Sequence, residues 1–141
     1  MNHNTSLSLG LLALRLGFGG LMLTHGIPKL MNYSTLATQF PDPIGMGSQI
    51  SLLLAIGAEV GCSLLLILGL FTRLATLPLI ITMLVAALIV HGADPFAKKE
   101  AALTFLISYV TLLMTGPGRF ALDAWIAPHL PRGRKSEHSK D

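Results

Sequence analysis

Four apolar blocks, residues 7–25, 48–70, 73–91 and 100–115, take up most of this chain, and short polar stretches separate them. Blocks that are apolar on nearly every face leave no side for water, so their natural surroundings are lipid and other helices. A bilayer core of about 30 Å needs about 20 helical residues, and the first three blocks meet that length directly. The fourth is shorter, but Asp94 and Pro95 make a helix start that lengthens it, with Lys98 and Lys99 snorkelling to the headgroups. Residues 31–47, which include Pro41, Asp42 and Pro43, read as a loop with at most one short helical turn. Phe71-Thr72-Arg73 is a turn so short that the helices it joins must be antiparallel neighbours. Gly116-Pro117-Gly118 stops the last block, and residues 119–127, with Phe120, Leu122, Trp125 and Ile126, suit a membrane interface. The pattern predicts an all-α membrane protein, a four-transmembrane-helix bundle with a short C-terminal interfacial helix. This domain covers residues 1–127, and a disordered, charged cytoplasmic tail covers 128–141.

Composition removes the soluble alternative. Of the 141 residues 52% are hydrophobic and 12% charged, about half the charge of an average globular domain. The net charge of +3 gathers in the tail and at block ends, where it reads as a topology signal and implies no nucleic-acid partner. The N-terminus lacks a basic start and a small-residue cleavage site, and its apolar block contains Arg15, so it reads as a retained helix. One side of the membrane collects Arg73, Arg119, Arg132, Arg134, Lys135 and Lys140, the other Lys29, Lys98 and Lys99. The positive-inside rule then places both termini in the cytoplasm. Cys62 lies alone in an apolar run and reads as a packing residue, which excludes a disulfide or a Cys-x-x-Cys relay within the chain.

Against this background the ionisable residues inside the blocks stand out, because a charge near the bilayer centre costs about 2.5 to 3.5 kcal/mol and is usually paired. Counted from Ser6 and Leu70, Arg15 and Glu59 lie at depths that differ by only about 3 Å, which predicts a structural Arg15–Glu59 ion pair. On the first helix Arg15, Met22, His25 and Lys29 share a stripe about 80° wide that should face inward. On the fourth, Glu100, Thr104, Ser108, Thr111 and Thr115 form a second polar stripe, whose hydroxyls can also satisfy themselves on backbone carbonyls. His25, Lys29, His91, Asp94 and Glu100 collect at the non-cytoplasmic end, as a quinone or proton site or as an ordinary interfacial cluster. Their spacing matches no compact metal motif. Ala13, Gly17, Gly20 and Thr24, with Gly57 and Gly61, read as small residues that let helices approach closely.

Residues 14–30 (LRLGFGGLMLTHGIPKL), residues 58–79 (AEVGCSLLLILGLFTRLATLPL), the His-Gly ending of the third block and residues 116–123 (GPGRFALD) together resemble the DoxX family of small bacterial membrane proteins. The likeness runs from about residue 9 to residue 123. It implies a multi-pass protein of the bacterial inner membrane, grouped with oxidoreductases. Some relatives are the quinone-interacting subunit of thiosulfate:quinone oxidoreductase, and others associate with redox-stress enzymes or accompany gene clusters for small metal-binding peptides. The functional positions it marks are Arg15, His25, Lys29, Glu59 and Arg73, with Gly116 to Arg119 shaping the exit.

The function this predicts is a quinone-interacting membrane subunit of a redox or stress-response system, beside a protein partner or as a homo-oligomer. Quinone is the cofactor expected, bound by His25 and Lys29, with His91 or Glu100 carrying the proton and Arg15 with Glu59 holding the bundle beneath. The sequence contains no flavin, haem or iron–sulfur motif and no metal site is expected, so whether the chain is itself catalytic stays open. A non-enzymatic membrane scaffold or assembly partner is the competing class, and a small transporter is third.

Overall fold

A computed structural model describes residues 2–129, and every regular element among them is helical. Of the tail expected over 128–141, residues 130–141 lie outside the described residues. The elements are α1 (His3–Met31), the short α2 (Tyr33–Leu36), α3 (Ser48–Leu68), α4 (Thr72–Val90), α5 (Phe96–Thr115) and the short α6 (Leu122–Ile126). Three helices, α1, α3 and α4, are long and apolar enough to cross a membrane, with mean hydropathies of 1.6, 2.3 and 2.3. The 20-residue α5 stands where a fourth span is expected, but Lys98, Lys99 and Glu100 occupy its first turns and leave about 22 Å of uncharged helix.

The long helices pack in a ring: α1 on α3, α3 on α4, α4 on α5, and α5 back on α1. Most large aliphatic side chains point outward, among them Leu16, Leu54, Leu74, Ile81, Leu88 and Ile107, while the interior mixes a core that includes Leu66, Leu79, Phe105 and Leu112 with small and hydroxyl residues such as Ala58, Ser63, Ala75, Thr76 and Ala87. An apolar exterior around a more polar interior is the arrangement lipid favours. The inward stripe of α1 is Ser8, Leu11, Arg15, Gly19, Met22 and Gly26, at spacings of three or four. Close approach to α3 therefore falls on Gly19 and Gly26, not on the expected Gly17 and Gly20. A Cβ on Gly26 would lie 2.8 Å from the Glu59 Cβ, whereas Gly17, Gly20, Gly57 and Gly61 face open space.

The α3–α4 turn lies two residues earlier than the sequence suggests. Gly69 adopts a left-handed conformation (φ 72°) at the end of α3, with Leu70 N–H bonded to Leu65 O and Gly69 N–H to Leu66 O, the Schellman closure. Helix α3 therefore stops at Leu68 rather than Leu70, and α4 starts at once at Thr72. Asp123 locks the turn from α6. Its carboxylate accepts the Phe71 and Thr72 N–H groups at 2.7 and 2.8 Å, and its own N–H donates to Gly69 O. A carboxylate at a helix N-terminus satisfies free donors and complements the helix dipole. Both α3 and α4 also contain a π-helical stretch, Gly57–Cys62 and Ala86–Val90.

Candidate functional site

Arg15 and Glu59 do not pair. Arg15, only 1% exposed, donates to Pro117 O and Phe120 O at 2.9 Å and to Ile67 O at 3.5 Å, so its guanidinium clasps the strap 116–121 to the end of α3. Glu59 instead pairs with Lys29, Nζ to Oε2, at 2.5 Å. Ser6 and Leu70 are not level, as counting depth from those two residues requires. Helix α1 runs for 29 residues, about 43 Å, and overshoots the turn end of α3, so that its first turns pack on the strap through Leu11 at Gly118 and Ser8 at Arg119. Arg15 consequently lies level with Ile67 and Gly69, and Gly26 lies level with Glu59. A Cβ on Gly69 would meet the Arg15 guanidinium and Ala121, which fixes glycine there as firmly as its positive φ does.

The Lys29–Glu59 pair sits deep in the bundle. Glu59 lies within the π turn of α3, and its side chain is 6% exposed against 26% for Lys29. Single π turns inside α-helices occur frequently at functional sites, since they displace one side chain from the regular face. Two cavities meet at this pair. The first, about 320 Å³, is walled by Phe40, Pro41, Pro43, Ile44, Leu54 and Val85 and is predominantly apolar. The second, about 230 Å³, is walled by Met22, His25, Met83, Lys98, Ala102 and Phe105. Lys29, Glu59, Ala86 and His91 line both, so the ion pair stands in the partition between an apolar chamber and a more polar one.

The remaining expected site residues divide. His91 joins the pair in both linings, and its Nδ1 is 2.8 Å from Asp94 Oδ2; that hydrogen bond, helped by the charge of Lys98, holds the Asp94 carboxyl below the usual range. His25 lines only the second cavity, with its ring edge-on to Phe105 at 5.7 Å between centroids. Glu100 lies exposed on α5 and lines neither cavity, because the residues that α5 turns toward the bundle are Ala102, Phe105 and Tyr109. The hydroxyl stripe of α5 satisfies itself: Thr104, Ser108, Thr111 and Thr115 each donate to the carbonyl four residues back, at 2.8 to 3.0 Å. Arg73 is at the opposite end, its guanidinium 3.5 Å from Met114 O at the end of α5 and beside Gly116, where the strap begins.

The loop wall is not apparent from the apolar pattern of the chain. Asp42 accepts the Met46 and Gly47 N–H groups at 2.9 Å and the Ser51 hydroxyl at 3.0 Å, and these bonds, that of Gly47 foremost, hold its carboxyl below the usual range. They pin Pro41, Pro43 and Ile44 against the mouth of the larger cavity. An Asp flanked by prolines and followed by Gly-x-Gly was the available signal.

Helical spans, an apolar exterior and a buried ion pair between two chambers define a small helical membrane protein. The sequence profile of the DoxX family matches residues 10–92, more than half of the chain, and the chain belongs to that family. It is also 31% identical over 135 residues to an uncharacterised membrane protein of Mycobacterium tuberculosis, covering 79% of this chain and 78% of that protein. No solved structure matches.

Proposed function

We propose that the protein is a quinone-interacting membrane subunit of a redox or stress-response system, working beside a protein partner in the bacterial inner membrane. The observation that carries this reading is the Lys29–Glu59 pair in the partition between the two cavities. The larger cavity, about 320 Å³, lies at the small end of ligand pockets, about 300 to 1,000 Å³, which suits one ring-sized head group. Its residues fit such a group: apolar walls from Phe40, Pro41 and Val85 flank the ring, and hydrogen-bonding groups stand at one end. Lys29 carries three N–H donors and spends one on Glu59, so it can donate to a carbonyl oxygen without leaving its partner. Glu59 keeps its second oxygen to take or return a proton, and His91, tethered by Asp94, stands in the same partition. A bound quinone would supply two-electron chemistry that no side chain of this protein has. His25 faces the second chamber, which suits proton exchange better than contact with the ring.

In this reading α5 is a fourth span with Lys98 and Lys99 snorkelling, α6 lies at the interface through the exposed Trp125, and both termini are cytoplasmic. The test is co-purified quinone per folded protein, extracted in mild detergent and identified by mass spectrometry. Wild type should carry it, Lys29→Ala should lose it, and His25→Ala should keep more of it than Lys29→Ala, with helicity unchanged by circular dichroism. A wild type free of quinone would overturn the reading.

A further inference from the structure

We infer that the larger cavity opens sideways into the lipid between α3 and α4, so that its ligand arrives from the bilayer and leaves an apolar tail in that opening. The two helices diverge from their tight turn. They pack through Gly57–Cys62 and Ser63–Leu68 of α3 against Thr72–Val85 of α4, while the far stretch of α3, Ser48–Ile56, packs on α1 and α2 instead. The separation begins beyond the π turn carrying Glu59, and Pro78 interrupts the backbone ladder of α4. The cavity occupies the gap. Leu54 and Ile81, one from each helix, line it and are 52% and 61% exposed, so they form the two lips of its mouth. Both lie well inside segments apolar enough to span a membrane, Ser48–Leu68 and Thr72–Val90, so the mouth faces acyl chains. The loop pinned by Asp42 covers the end nearest the headgroups with Phe40, Pro41, Pro43 and Ile44. Apolar lips leading inward to a charged pair match one kind of occupant: a single-tailed, membrane-borne amphiphile with a compact hydrogen-bonding head.

This inference deepens the quinone reading of the same cavity, yet its test is separable. Trp125 is the only tryptophan, so Trp125→Phe gives a background in which one new indole reports alone. Ala55→Trp places it in the cavity from α3, and Val85→Trp does so from α4, which covers the chance that one variant misfolds. Leu16→Trp, on the exposed face of α1, serves as the lipid reference, and Tyr109→Trp, at a fully buried position, as the interior reference. In bilayers of phospholipid brominated along its acyl chains, the cavity indoles should lose emission as Leu16→Trp does. Emission preserved as in Tyr109→Trp would overturn the lateral opening whatever binds there. A short-tailed quinone titrated into Trp125→Phe, whose cavity is unaltered, then reports on the head group in ordinary lipid. Saturable binding supports both readings, and brominated-lipid quenching of the cavity indoles without it leaves the opening standing while contradicting the quinone.

Discussion

At the scale of single residues, the two charges that lipid makes most expensive are resolved in different ways. Arg15 spends its forked donors on backbone carbonyls of a strap that would otherwise end unsatisfied, and Glu59 takes the long, flexible Lys29. That both residues need partners was legible in the sequence; which partners they take was not. Depth along a helix can be counted only from a known end, and nothing in the apolar pattern shows that α1 overshoots α3. Arg15→Met should leave the Pro117 and Phe120 carbonyls unpaired at about 1–3 kcal/mol each and loosen the strap, and Arg15→Lys should recover little because an ammonium cannot span both. Unfolding by denaturant in mixed micelles reads this loss. For the pair itself, Lys29→Met or Glu59→Gln alone should destabilise more than the double change does, since a lone buried charge costs about 3–5 kcal/mol. Additive losses would contradict the contact.

At the scale of elements, the four apolar blocks and the loop were readable because lipid imposes a length and Pro-rich stretches break helices. The π turns were not, because they arise from packing rather than from any residue type. Nor was the lock on the α3–α4 turn, which depends on Asp123, more than fifty residues away from its partners in the chain. Asp123→Ala should cost about 1–2 kcal/mol, the usual loss of a helix N-cap, and Asp123→Asn rather less, as thermal denaturation would show. The loop clamp makes a pH prediction. Because the Asp42 carboxyl is held below its ordinary value, its contribution is present above about pH 4 and disappears as pH falls through the lower folded value. The stability difference between wild type and Asp42→Ala should therefore be constant from pH 7 to about 5 and vanish in stronger acid, in a thermal series across that range.

At the scale of the whole molecule, the apolar exterior, the mixed interior and the paired chambers form one arrangement: the strap end is tied by Arg15 and Asp123, and the opposite half opens around Lys29 and Glu59. Of the inward stripe expected from spacing, Arg15 and Met22 are buried but His25 is exposed and Lys29 half-buried, and that His25 lines only the second chamber while Lys29 lines both is settled only by the packed bundle. With four spans, reporter fusions at Gly45 and at the C-terminus should report opposite compartments, and agreement between them would contradict that span count. The central claim is that the Lys29–Glu59 pair is the ligand-binding centre and Arg15 a structural clasp. Titrating a short-tailed quinone into wild type, Lys29→Met, Glu59→Gln and Arg15→Met in bilayer discs tests it most directly. Losing a charge-assisted hydrogen bond of about 1.5–3 kcal/mol should weaken binding about tenfold or more in the first two variants, while folded Arg15→Met binds like wild type. Equal affinity in all four, or loss only in Arg15→Met, would contradict the account.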